Sequence, residues 1–400
     1  MSRPTPFHTR TAPLCSGYAW KEWSGYAAVC NYDLHSEREY HAIRHTAGLL
    51  DITPLCKTDV QGPDAGEFLG RLWSRNVAKL PVGRVIYGCI CDFDGNLLDD
   101  GTVSRLGPNH YRMTTSEFWM GWWHQHARGF DVTLADTTHD YAALALQGPA
   151  ARTILAPLVD IELGKQRFFD VAPTRIGNTD VLISRTGYTG DLGFEIWVKN
   201  EHAIPIWDAI VEEGTPHGME PIGLDALDVA RIEAGFVLQG CDYVSARSCL
   251  TASRKSTPAE AGLGWTVRLN RPSPFIGQKA LQEEAERGPA WDLVGLEISW
   301  EGLEQLYAEY GLPPTLSPTA CRLAVPIYDP SGQQQIGQAT STTWSPILKK
   351  YLALAQIKRA YNAIGTTVSV EHTVEFERRK VSATVVEKPF FDPPRKRQTS

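Results

Sequence analysis

Ser184-Arg-Thr-Gly-Tyr-Thr-Gly-Asp-Leu-Gly-Phe-Glu-Ile-Trp-Val198 is the stretch on which the reading of this chain turns. Gly187, Gly190 and Gly193 recur at every third position between two strand-like runs, Val181 to Ser184 and Phe194 to Val198. Glycine tolerates positive φ and lets backbone or ligand come close. The run therefore predicts a turn joining two strands, with Tyr188 and Thr189 displayed at its tip. Alternation puts Phe194, Ile196 and Val198 on one face of the second strand and Glu195 and Trp197 on the other. A carboxylate beside an indole, next to a glycine turn, suits a flat heterocycle bearing N–H donors. A plain hairpin with an exposed glutamate fits the same spacing.

Upstream, residues 1–35 read as an irregular arm. A helix is predicted from Glu37 to Leu49, where Tyr40, Ile43, Ala47 and Leu50 recur at helical spacing behind Ser36, a candidate N-cap. A strand from Cys56 to Val60 and a helix opening at Pro63-Asp64 follow. Arg84 to Cys91 and Leu97 to Ser104 pair around the turn signal Asp94-Gly95. His110 to Thr114 reads as a strand, Glu117 to Ala127 as an aromatic-rich core helix, and Tyr141 to Gln147 as an apolar strand. Downstream of the glycine turn, one helix carries Ala203, Ile206, Trp207 and Ile210. A second runs from Leu224 to a capping Gly235, a strand from Gly262 to Leu269 holds Trp265, and a short helix spans Phe275 to Arg287. Beyond Gly288-Pro289, six short strands separated by turn signals predict a small all-β barrel. The fold class is thus α+β, with 36–288 as the main unit, 289–392 as the barrel and 393–400 as a solvated tail.

At 400 residues the chain exceeds one typical core. With 42% hydrophobic and 21% charged residues the composition is that of a water-soluble globular protein. A net charge of −7 argues against nucleic acid as a partner. No secretory signal reads from Met1 to Ala19 and no run reaches the length of a membrane span, so neither membrane nor export is expected. The scattered cysteines, with no Cys-x-x-Cys pair, fit reduced thiols in the cytoplasm. No zinc spacing appears, and no metal is predicted.

Arg185-Thr-Gly-Tyr-Thr-Gly-Asp-x-Gly-Phe-Glu-Ile196 resembles the signature of the T-protein (aminomethyltransferase) family of the glycine cleavage system. That family is related to the folate domains of sarcosine and dimethylglycine oxidising enzymes and to tetrahydrofolate-dependent demethylases. Arg44, Ala47, Gly48, Asp51, Ile52 and Thr53 match the opening of the family's folded core, Ala145 to Pro149 its "ALQGP", and Arg231-Ile-Glu-Ala-Gly235 its "R-[LI]-E-A-G". Ser345 to Lys350 and Lys388 to Asp392 resemble its C-terminal domain. The resemblance implies a multi-domain T-protein-like fold around a central folate cavity, and tetrahydrofolate as the acceptor of a one-carbon unit.

Asp99-Asp100 carries the chemistry in this reading. Neighbours on a strand face opposite ways, so only one aspartate enters a given pocket while the other is solvated or caps a turn. A buried carboxylate can stabilise positive charge that develops at a folate nitrogen; equally, Asp-Asp after an Asp-Gly turn is an ordinary polar edge. The resemblance assigns the catalytic role to Asp100, with Asp99 in reserve. Arg231 shares a stripe with Leu224, Leu227, Ala230 and Ala234, so its guanidinium must find a partner. A structural ion pair meets that need, and the resemblance implies a folate contact. It likewise implies pterin binding by Glu195 and aromatic walls from Tyr87, Tyr188 and Trp265.

Three departures from the T-proteins bear on function. Gly101-Thr102 after the aspartate pair is closer to the folate domains of the amine-oxidising enzymes. Gln239-Gly-Cys-Asp-Tyr243 replaces Tyr-Gly-x-[DE] and leads into a longer loop to Pro258, which puts docking of a lipoyl-bearing carrier in doubt. Glu301 to Pro314 looks inserted. Without a Gly-x-Gly-x-x-Gly flavin fingerprint the chain needs a partner oxidase, or a small methylated or aminomethyl donor already at the right oxidation level. The alternatives are a dedicated O-, S- or N-demethylase, and a non-catalytic folate-binding protein, whose Lys-Gly-Cys-Tyr-x-Gly-Gln mark is missing here.

Overall fold

In the computed structural model, which describes residues 2–399, the glycine-rich run joins two antiparallel strands, Thr179–Ser184 and Gly193–Lys199, with Ser184 opposite Glu195. Phe194, Ile196 and Val198 enter a core with Leu144, Leu146, Trp207 and Ile210. Trp197, on the opposite face, packs with Leu50, Ala145, Val229 and Ala230. The turn folds inward rather than displaying its tip. Thr189 is buried and donates to Gln147 Oε1 at 3.0 Å, while the Tyr188 hydroxyl donates to the Val237 carbonyl. Glycine is required because a Cβ at Gly187 or Gly193 would collide with the Gln147 amide.

These strands belong to a six-stranded sheet, ordered Val171–Ile176, Thr179–Ser184, Gly193–Lys199, Tyr141–Gln147, Ala47–Asp51 and Met219–Pro221. Only the last pair is parallel. A five-stranded antiparallel sheet contains the hairpin Val85–Cys91 and Leu97–Gly107 together with His110–Thr115, Cys56–Gln61 and Thr133–Asp136. The third unit is a closed six-stranded barrel drawn from Trp291–Ile298, Val325–Tyr328, Gln335–Ser345, Lys350–Lys358, Thr367–Val374 and Glu377–Val386. Leu296, Ile327, Ile336, Ile357 and Val368 fill it. The junction segment holds a helix, Trp300–Ala308, N-capped by Ser299, which sends Leu303, Leu306 and Tyr307 into the barrel core.

Several local expectations are corrected. The helix at Glu37 ends at His45, because Ala47–Asp51 is claimed by strand pairing on both edges. The Gly262–Leu269 stretch is not a strand. Gly262 takes φ +71 and a 3-10 turn covers Gly264–Thr266, closed by the Thr266 hydroxyl on the Leu263 carbonyl. The N-terminal arm is partly regular, with a short helix His8–Thr11 and a strand pair Trp20–Trp23 and Tyr26–Val29. Phe7 anchors it against Trp207.

The tail is anchored at Arg395 and Lys396, although Pro394, Arg397, Gln398 and Thr399 stay exposed. Arg395 makes a two-point pair with buried Asp191 at 2.7 and 2.7 Å. Buried Arg185 donates to the carbonyls of Lys396 and Gln398. Both contacts follow from the cost of leaving a buried charge without partners.

Glu233, at the end of the Leu224–Glu233 helix, joins the Glu37–His45 helix to the barrel. Its carboxylate accepts from Tyr40 and Arg44 of the Glu37–His45 helix and from Ser345 of the barrel. Arg44 also donates to the Thr189 carbonyl at 2.9 Å, which ties the glycine turn to the same joint.

Candidate active site

The hairpin turn before the aspartate pair is built by Asp92, whose Oδ1 accepts from the amides of Asp94 and Asn96, with Gly95 at φ +80. The returning strand sets Asp99 and Asp100 on opposite faces, as alternation requires. Asp99 is neither solvated nor in a pocket. It is fully buried and clips the loop that follows His110–Thr115, accepting from the Ser116 hydroxyl, the Glu117 amide and the Trp119 indole. Burial, with the neighbouring charge of Asp100 adding, pushes its carboxyl up to about 7 against those donors.

Asp100 lies opposite Cys89 in the register, on the face that also carries Tyr87. The Tyr87 hydroxyl donates to Asp100 Oδ2 at 2.6 Å, and Tyr243 donates to Oδ1. Burial raises the Asp100 carboxyl above its ordinary range, and the two phenols pull it down. Tyr87 stacks on Trp265, ring centroids 5.9 Å apart and planes at 23°, and Trp265 keeps 58% of its surface exposed. Trp265 therefore reaches this place from a turn rather than a strand.

Tyr188 stacks on Phe236 at 5.6 Å. Glu195 is partly accessible, is raised by burial, and has the Ser184 hydroxyl 3.4 Å away. Tyr87, Asp100, Tyr188 and Glu195 share a property that distinguishes them from core residues. Desolvation shifts every one of them, yet each retains accessible surface. Side chains that line a recess inside a protein behave this way.

Arg231 is buried, and its guanidinium is heavily engaged. Nε pairs with Asp228 at 2.7 Å, Nη1 with Asp242 and the Phe236 carbonyl, and Nη2 with the Ser341 hydroxyl at 2.8 Å. An ion-pair network is thus what the charged residue on the apolar stripe meets in this structure. Asp242 also accepts from Thr340 and Ser341 of the barrel. Through adjacent Asp242 and Tyr243, the Arg231 network is continuous with Asp100. Glu195 makes no hydrogen bond to Asp100 or Arg231 among the described residues.

Tyr243, Asp242, Phe236 and Glu233 escaped the sequence reading. For Asp242 a signal existed: an arginine on an apolar stripe demands a buried acid nearby, and Asp242 stands eleven residues on. For Tyr243 there was none, since contact with Asp100 depends on how the loop folds back. A cleft of about 340 Å³ opens elsewhere, between Pro81–Arg84 and Glu162–Ala172, where Arg84 and Arg167 pair with Asp170 and Lys165 with Glu162. It holds none of the residues singled out above. Among the described residues no group of three His, Cys, Asp or Glu could hold a metal, and no helix is long and apolar enough to cross a membrane.

Comparison with known proteins matches residues 7–271 to the GCVT N-terminal domain and residues 313–392 to the glycine cleavage T-protein C-terminal barrel domain. The chain is 33% identical over 360 residues to an aminomethyltransferase of Bacillus pumilus, covering 89% of this chain and 90% of that one. It is 34% identical over 413 residues to trimethylamine-oxide aldolase of Ruegeria pomeroyi, covering all of this chain but spanning only 48% of that relative's length. In structure it resembles the glycine cleavage system aminomethyltransferase T of Bartonella henselae, with a TM-score of 0.83 at 24% identity and both chains covered completely, a likeness of fold.

Proposed function

Because this chain belongs to the glycine cleavage T-protein family of aminomethyltransferases, we propose that it moves a one-carbon unit from a small methylated or aminomethyl donor to tetrahydrofolate. The observation that carries this reading is the Asp100 site: a carboxylate gripped by Tyr87 and Tyr243 beside the exposed Trp265 face. The residues present fit a reduced folate. The Tyr87–Trp265 and Tyr188–Phe236 pairs offer flat apolar surfaces, and Glu195 is a partly accessible acceptor for pterin N–H groups.

When bound, tetrahydrofolate supplies the nitrogen nucleophiles that take up the carbon. The chain's own part is electrostatic and positional. Asp100, held rigidly in a desolvated setting, stabilises positive charge that appears on the reacting nitrogens. Glu195 and the stacked rings orient the bicycle, and Arg231 acts through Tyr188 and Asp242. The likeness to trimethylamine-oxide aldolase favours a methylated amine as the ultimate source of the carbon. A donor at the oxidation level of formaldehyde yields 5,10-methylenetetrahydrofolate, and a methyl donor yields 5-methyltetrahydrofolate. We place the enzyme in the cytoplasm, supplied by a partner oxidase, a lipoyl carrier or a second active domain.

The test is to incubate the pure protein with tetrahydrofolate and a panel of methylated amines, amine oxides, ethers and sulfonium compounds, and to weigh the folate product. Asp100→Asn should lower turnover by about 10²–10³-fold while folate affinity stays within about tenfold. An Asp100→Asn enzyme at full speed removes that residue from the mechanism. A panel that leaves tetrahydrofolate untouched argues against transfer altogether.

A further inference from the structure

We propose that Tyr243 is a positioning residue for Asp100, supplied by the extended loop after Gly235, and that together with Tyr87 it fixes both carboxylate oxygens before any substrate arrives. The inference rests on the reading of Asp100 given above and concerns how that carboxylate is held.

Tyr243 is buried and its hydroxyl meets Asp100 Oδ1, while Tyr87 meets Oδ2 from the neighbouring strand. A carboxylate oxygen accepts at two lone-pair sites, so each keeps one for a cationic substrate group. Two phenols on two oxygens lock the carboxylate plane in a way that one could not. The loop is placed for this task. Asp242, one residue earlier, is held by Arg231, by the Leu238 amide and by Thr340 and Ser341 of the barrel. Three residues later, the Ala246 amide donates to the Leu97 carbonyl, and the Leu97 amide donates back to the Ser256 carbonyl. The loop is thus laced onto the strand that bears Asp100, with Tyr243 between the two fastenings.

Both phenols stay protonated, because burial and the Asp100 charge hold each well above the ordinary tyrosine range. They can only donate to an ionised Asp100, and donation favours the ionised form. The other titratable groups around Asp100 are Asp99 and Cys89 on its own hairpin, Tyr188 on the glycine turn and Asp242 on the loop, with Arg231 facing the last two. None of these hydrogen-bonds the carboxylate oxygens among the described residues, which leaves Tyr87 and Tyr243 as their side-chain donors. The two donors offset part of the rise that burial causes and so favour the ionised form that a counter-ion needs.

The experiment follows the Asp100 carboxyl directly. Full-length protein labelled with ¹³C at aspartate carboxyls is titrated by NMR, and the Asp100 signal is assigned by its loss in Asp100→Asn. In Tyr243→Phe the Asp100 midpoint should rise by about one pH unit, and the acid limb of the turnover profile should rise with it. KM for tetrahydrofolate should change less than about threefold. An Asp100 midpoint that stays where it is in Tyr243→Phe overturns the proposal, since a purely packing role would leave it unmoved. Should that variant fail to fold, 3,5-difluorotyrosine at position 243 keeps the shape and sharpens the donor. The midpoint must then fall, and an unchanged value is again fatal. Full turnover in Asp100→Asn would sink the reading of Asp100 instead, independently of what Tyr243 does to the titration.

Discussion

The barrel surface and the buried seam along the Leu224–Glu233 helix contain ion pairs of equal length and opposite character. Lys350 and Glu297 on the barrel meet at 2.6 Å with 48% and 36% of their side chains exposed. Arg44 and Glu233 in the seam also meet at 2.6 Å, with neither side chain exposed at all. Water screens the first pair and repays each partner's hydration if the contact breaks. The second pair has no such recourse, and its carboxylate is further committed to Tyr40 and Ser345. The barrel holds itself together with aliphatic side chains. The seam buries Arg44, Glu233, Arg231 and Asp242, and the five-stranded sheet beside it buries Asp99 and Lys57, each at a desolvation cost that only a full set of partners offsets. Proteins tolerate such clusters where charge is needed for joining units or for chemistry, and here Arg44 and Glu233 join a helix to the barrel.

The comparison can be broken by mutation. Glu233→Gln keeps the shape but turns one acceptor oxygen into a donor amid Tyr40, Arg44 and Ser345, and leaves Arg44 only the longer contact to Asp191 at 3.6 Å. It should cost about 3–5 kcal/mol in chemical denaturation; a loss below about 1 kcal/mol would make the seam no different from the surface. Lys57 sharpens the contrast through pH. Its ammonium is buried and donates to the carbonyls of Thr53, Leu55 and Thr138, and burial pushes its pKa down to about 8. A base whose pKa is lower folded than unfolded costs stability while protonated, and the cost fades as pH rises through about 8 toward the unfolded value. Wild type should therefore gain roughly 2–3 kcal/mol relative to Lys57→Met between pH 8 and 10.5, read as the difference between their unfolding curves. A flat difference would mean that the three carbonyls fully replace water. Lys350→Ala on the barrel should change stability by no more than about 0.5 kcal/mol and lose even that in high salt.

The same contrast governs how much the sequence disclosed. The barrel strands announced themselves because one side chain in two must be apolar to fill a closed sheet, and all six lie where alternation and turn residues put them. The strand pair around the glycine turn was equally plain. The fate of the turn's tip was not, because Thr189 and Tyr188 are drawn inward by Gln147, Arg44 and Val237, which lie far away along the chain. Trp265 was placed on a strand by its apolar neighbours, and no local pattern reveals that Gly262 takes a left-handed conformation there. The basic tail looked solvated because a run of Arg and Lys ordinarily is; that Asp191 and Arg185 lay buried and waiting for it is a property of the folded whole.

At the site, strand geometry put Asp99 and Asp100 on opposite faces, and the family resemblance chose Asp100 between them. Local order along the chain thus determined the family signature, the barrel, the hairpin bearing the aspartates and the need of Arg231 for a buried partner. Only the tertiary structure decided which partner that would be, and that Asp99 is a clip whereas Asp100 is held by phenols from two separate segments. Periodicity is written between neighbours and survives in the linear text. Desolvation depends on everything that closes around a group, and that enclosure exists only once segments as distant as Tyr87 and Tyr243 have come together.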